Sequence, residues 1–162
     1  MLLRLIFSLT LIILTISCQQ SAELSFVIVE QGSQNRYQEK SPGMIVLTKR
    51  EDALGINGFV KPNAQASLEA IDYQNQFAIL VFQGLKLSNG YSVQIEQITR
   101  SGDQVHVLAQ FQEPKPNEMK GNVITSPYIL VAVEKGGDWS QETTFQLEEK
   151  GVKLVSVRQY VP

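Results

Sequence analysis

Three stretches of this chain carry no polar position at all: Phe26-Val27-Ile28-Val29, Phe77-Ala78-Ile79-Leu80-Val81-Phe82 and Ile129-Leu130-Val131-Ala132-Val133. Successive side chains of a strand point to opposite faces, so such runs suit strands covered on both sides. They restrict the chain to folds in which at least one sheet is sandwiched between other layers.

Further strands surround them. Leu24 to Glu30, Met44 to Thr48, Phe77 to Phe82, Tyr91 to Thr99, Gln104 to Gln112, Tyr128 to Glu134, Thr143 to Glu148 and Val152 to Tyr160 are rich in β-branched or aromatic residues and bounded by turn residues. Tyr91, Val93 and Ile95 share one face, with Ser92, Gln94 and Glu96 on the other, so this strand has one face in water. The alternation breaks at Gln97-Ile98, which predicts a bulge or strand end there. Phe77 to Gln112 reads as a meander turning at Asn89-Gly90 and at Ser101-Gly102-Asp103. A last hairpin joins Thr143 to Leu147 with Lys153 to Val157 through Glu149-Lys150-Gly151.

Helical signal is confined to Lys49 to Leu54 and to Asn63 to Ile71, the latter opened by Pro62-Asn63 and carrying Ala64, Leu68 and Ile71 at helical spacing. The expected class is mainly β or α+β: an antiparallel sheet meander with one or two short helices in a single exported domain. Its two versions are a sheet with a helix across one face and a strained sandwich. Gln31 to Gly43 and the proline-rich Gln112 to Pro127 read as connections, and the second is too long for a hairpin turn. Its Pro114, Pro116, Asn117 and Met119 are candidate partner-binding residues, as is Trp139, whose favoured reading is nonetheless a ring that plugs the sheet end.

The first eighteen residues bear on destination rather than fold. An apolar run from Leu5 to Ile16 follows Arg4 and ends at Ser17-Cys18, with Cys18 the only cysteine. About a dozen apolar residues fall short of the roughly 20 that span a bilayer, so residues 1–17 read as a cleaved export signal. Leu14-Thr15-Ile16-Ser17-Cys18 resembles the bacterial lipobox, although Thr15 stands where leucine is usual. That resemblance implies lipidation of Cys18, with 18–23 as a polar tether and 24–162 as a single β-rich domain. Localisation is then the cell envelope, lipid-anchored at the outer membrane or the outer face of the cell membrane.

Composition narrows the chemistry. Loss of Arg4 with the signal leaves 13 basic against 16 acidic residues, a net charge of −3, and no block of like charge, which argues against a nucleic-acid partner. A lipidated Cys18 leaves no thiol for disulfide, redox or thiolate chemistry. His106, the only histidine, lies on a strand whose Val105, Val107 and Ala109 take the inward positions, so it points to solvent. One imidazole without a thiol is too few ligands for zinc, and the acidic residues lack the close loop spacing of a calcium site. Glu142, Glu148 and Glu149 flank a hairpin as a solvated edge. Gly55-Ile56-Asn57-Gly58 and Gly136-Gly137 lack the helix and lysine of a phosphate cradle. No catalytic residue, metal site or cofactor is expected.

From Asp72 onward a resemblance to a known family runs in order along the chain. Ile71-Asp72-Tyr73 leads into Phe77 to Gln83-Gly84; Asn89-Gly90-Tyr91-Ser92-Val93 follows; then come Pro114-Lys115-Pro116 and Thr125-Ser126-Pro127-Tyr128. These signs resemble the C-terminal domain of the PrcB family, the lipoprotein subunit of a surface protease complex, over 72–133. Asn89 stands where the family has the first glycine of its pair, which a type I′ turn tolerates. The resemblance implies a non-enzymatic, membrane-tethered accessory domain. It gives Asp72, Gly84, Gly90, Tyr91, Pro127 and Tyr128 structural roles and names no active-site residues.

Two functions follow as expectations. In the first, the domain binds another exported protein, a secreted protease being one candidate, through a sheet edge or the Gln112 to Pro127 connection. In the second, Tyr91, Tyr128 and Trp139 line a cleft for a small molecule or glycan. A hydrolase has the least support.

Overall fold

The computed structural model describes residues 21–33, 36–116 and 121–162. Among these residues nine strands run in chain order as β1 (Ala22–Glu23), β2 (Phe26–Gly32), β3 (Gly43–Leu47), β4 (Gln76–Phe82), β5 (Ser92–Ser101), β6 (Gln104–Gln112), β7 (Tyr128–Glu134), β8 (Gln141–Glu149) and β9 (Val152–Val161). Two helices, α1 (Arg50–Gly55) and α2 (Pro62–Glu69), lie between β3 and β4. The strands form a five-stranded sheet ordered β1-β5-β6-β8-β9 and a four-stranded sheet ordered β2-β7-β4-β3. The class is therefore mainly β with two short helices, as expected.

Both versions of the expected architecture are present together. One face of β4 and β7 supplies Phe77, Ile79, Val81, Ile129, Val131 and Val133 to a core shared with Val93, Ile98, Val105, Val107, Phe145 and Leu147 of the five-stranded sheet. The opposite face supplies Ala78, Leu80, Phe82, Tyr128, Leu130 and Ala132, which pack with Ala53, Ala64 and Leu68 of the helices. The four-stranded sheet is thus the middle of three layers, which is why the runs Phe77 to Phe82 and Ile129 to Val133 of its two central strands carry no polar position. Leu24 and Trp139 join the first core.

Helix starts follow local chemistry. The Asp52 carboxylate accepts hydrogen bonds from the backbone N–H groups of Thr48 (2.9 Å) and Lys49 (3.2 Å), occupying donors that the α1 start would otherwise leave open. Pro62 sits at the first position of α2, where its missing N–H costs nothing.

Four expectations need correction. Phe26 to Val29 is not covered on both faces: β2 is an edge strand, and Val27 and Ile28 are 60% and 59% exposed. The strand pairs with β7 on one side only, and a bulge between Ile28 and Glu30 carries it on to Gly32, into the stretch expected as a loop. The meander is also broken. β4 pairs with β3 and β7, so both of its edges are occupied, and the chain after Phe82 crosses to the other sheet before forming the antiparallel β5–β6 hairpin. Nor is pairing wholly antiparallel, since β6 and β8 run parallel. Finally, Ala22 and Glu23 pair with Arg100 and Thr99, so ordered pairing reaches into the stretch expected as a tether.

The expected bulge falls between Ile95 and Gln97, and it returns Ile98 to the buried face. The terminal hairpin turns through Lys150 (φ +50°) and Gly151 (φ +77°), both in the left-handed region that a type I′ turn requires.

Candidate functional site

The end of the molecule where β4 finishes gathers most of the residues singled out from sequence. After Phe82, the Gln83 N–H donates to the Pro127 carbonyl (2.9 Å) and the Leu85 N–H donates to the Glu39 carbonyl (2.8 Å). Lys86 and Thr125 then exchange backbone hydrogen bonds of 2.7 and 2.9 Å, and the Thr125 hydroxyl donates to the Ser88 carbonyl. Asn89 accepts from the Gly121 N–H through Oδ1 (2.9 Å). These bonds tie the 83–91 loop to both the 36–42 segment and the return of the long connection.

Glycines allow the close approach. Gly84 adopts φ +89°, and a Cβ there would press into the Lys40 carbonyl. Gly90, at φ +91°, lies against Pro114, whose Cβ would be 2.7 Å from any side-chain carbon added to it. Thus Gly84, Gly90, Tyr91, Pro114 and Pro127 converge at one end, and Tyr128 starts the buried strand behind them. Pro114 is buried, whereas Pro116 is exposed. Asn117 and Met119 lie outside the described residues.

Two features of this end were not read from sequence. Leu87 follows Lys86 and Ile124 precedes Thr125 at their antiparallel bridge, and these two are 78% and 65% exposed, with Val123 also exposed. Next to them opens a cleft of about 490 Å³ lined by Lys40, Lys86, Lys150, Glu113, Glu149 and Gln83. The Lys86 ammonium stands 5.3 Å from the Tyr91 ring centroid. The only sequence signal for either feature was a leucine placed in an otherwise polar turn.

Asp72 and Trp139 sit elsewhere, at the end where β4 begins. The Asp72 carboxylate accepts from the Gln74 N–H (3.1 Å) and the Asn75 side chain (2.7 Å), and its carbonyl accepts from Gln76 (2.8 Å), so it shapes the turn entering β4. The Asn75 hydrogen bond, then that from the Gln74 N–H, holds its carboxyl below the usual aspartate value. Trp139 is buried: its ring centroid lies 5.1 Å from that of Phe77, its Nε1–H donates to Gly136, and the Arg100 guanidinium stacks on it at 3.9 Å. A partner would find little of this ring.

The aromatic cleft loses its basis. Tyr128 packs on the helix side of the four-stranded sheet and Trp139 on its other side, both buried, so with Tyr91 they line no common surface.

His106 faces outward as expected, and its Nδ1 lies 2.7 Å from Glu148 Oε1 on the neighbouring strand. Glu149 accepts from the Phe111 N–H (3.1 Å). Among the described residues no three histidine, cysteine, aspartate or glutamate side chains converge as metal ligands.

No curated protein matches the chain significantly, and no solved structure does. The family model described as PrcB C-terminal matches residues 77–134, from the first core residue of β4 to the last residue of β7. The segment running through β4, the β5–β6 hairpin and β7 is therefore the part of this chain that is similar to the PrcB C-terminal family.

Proposed function

We propose that this protein is a non-enzymatic accessory lipoprotein that docks onto another exported protein, a secreted protease, and assists its assembly or stability. The observation that carries this reading is the exposed apolar tip of Leu87 and Ile124, held by paired backbone hydrogen bonds within the matched domain. Large apolar side chains clustered on a surface and fixed by backbone pairing suit a protein interface. The resemblance to a protease-complex subunit supports the identity of the partner class. The lipobox-like Leu14 to Cys18 supports tethering to a bacterial membrane through lipidated Cys18.

Crosslinking in intact cells followed by pull-down tests the reading. The wild-type chain recovers an exported protease, and the double variant Leu87→Asp/Ile124→Asp, altered only at exposed positions, loses it. Recovery of the bait alone, or equal recovery by the variant, overturns the proposal.

A further inference from the structure

The cleft beside the apolar tip has a composition that selects its ligand. Lys40, Lys86 and Lys150 approach it from three separate segments, and none makes an ion pair among the described residues. Glu113 and Glu149 leave an excess of one positive charge in a chain whose formal charge is −2. Gln83 forms part of the lining and is 3% exposed; its Nε2 donates to the Gln112 carbonyl at a long 3.3 Å, while its carbonyl oxygen has no donor. A buried acceptor without a donor costs free energy that a bound N–H would recover. The terminal torsion of glutamine is soft, so its amide can turn toward such a donor.

Together these groups ask for a ligand that brings carboxylates to the lysines and N–H donors to Gln83 and Glu113. Inorganic phosphate offers oxygen acceptors to the lysines but no N–H for Gln83 or Glu113. A peptide offers both, and an apolar residue next to its acidic ones would meet Leu87 and Ile124. The walls are set in advance, because the Leu85–Glu39 hydrogen bond and Gly84 hold the Lys40 segment against the end of β4.

We infer that this cleft binds an acidic, extended peptide segment bearing an apolar residue. The inference rests on the docking reading and names the chemistry of the partner's contacting segment.

The test uses the full-length chain purified in a nonionic detergent and a fluorescein-labelled Leu-Ser-Asp-Glu-Asp-Gly amide, with binding read by anisotropy. The acidic peptide binds, and its Asn/Gln counterpart binds at least about tenfold more weakly. The triple variant Lys40→Gln/Lys86→Gln/Lys150→Asn loses about tenfold in affinity, and raising the salt concentration weakens the wild type toward the variant. The single variant Lys150→Asn loses about threefold while keeping its fold, because asparagine tolerates the left-handed backbone at that position. No binding at millimolar peptide, equal binding by the triple variant or the neutral peptide, or displacement by inorganic phosphate as effective as by unlabelled peptide, overturns the inference. Capture of the cellular partner by the triple variant at wild-type yield defeats the cleft and leaves the docking reading standing. Selective peptide binding with no partner captured in cells defeats the docking reading and leaves the cleft.

Discussion

Gly84 does more for the candidate site than any charged residue in it. Its positive φ and the absence of a side chain let the Lys40 carbonyl come close, and Leu85 can then reach Glu39. Replacing it with alanine combines a left-handed backbone penalty with a clash against main chain, so Gly84→Ala should destabilise the fold by about 1–3 kcal/mol in urea denaturation. A cost near zero would mean the wall is free to move. Buried phenols set a second prediction. Burial and then the Asp52 carboxylate push the Tyr73 phenol up to about 12, and burial and then the Glu30 carboxylate raise that of Tyr128 as well. A raised phenol favours the protonated form in the folded state, so its contribution is intact below the unfolded value near 10 and is lost as pH climbs through the folded values. Urea denaturation at pH 8, 9.5 and 11 should show stability flat over the first interval and falling over the second. In Tyr73→Phe/Tyr128→Phe that fall should shrink, and an unchanged slope would assign it to other groups.

Strand β2 illustrates how the same local pattern can serve two environments. Phe26 to Val29 is as apolar as β4 or β7, yet β2 lies at the sheet edge with Val27 and Ile28 open to solvent. Composition specifies an affinity for strand and for burial; which partner strands arrive is a long-range matter. Ile28→Ala should therefore cost under about 1 kcal/mol, against about 2–5 kcal/mol for Leu130→Ala in the fully buried neighbouring strand. Comparable losses by thermal denaturation would indicate that the edge is covered in the folded molecule. The β5 strand shows the opposite case, where the parity jump near Gln97 was enough to locate a bulge because a single extra residue must flip the inward face.

For the molecule as a whole, the two proposals share one end of the sandwich, opposite the end where Asp72 and Trp139 serve the fold. Tethering is separable from both. Metabolic labelling with a fatty-acid analogue should mark the wild type and leave Cys18→Ala unlabelled, with the variant moving out of the membrane fraction. Two unlabelled, soluble forms would make the leader an ordinary cleaved signal, and the docking surface would then act on a free protein.

Eight of the nine strands and both helices were legible because their signals are short-range: alternation of period two, continuous apolar runs, Pro62 at a helix start, glycine at a turn. The ninth, Ala22–Glu23, has no such pattern and exists through pairing with β5. Gly90 and Tyr128 could be assigned to turn and strand from their neighbours alone. Their convergence with Pro114 and Lys86 could not, since it depends on the chain crossing between sheets after β4, whose two edges are filled by strands about 30 and 50 residues away. The cleft is the clearest example. Lys40, Lys86 and Lys150 are unremarkable surface lysines along the chain, and they become a site because sheet pairing and one glycine bring three distant segments to the same end. Local physical chemistry fixes which residues extend, turn and bury; long-range pairing fixes which of them meet.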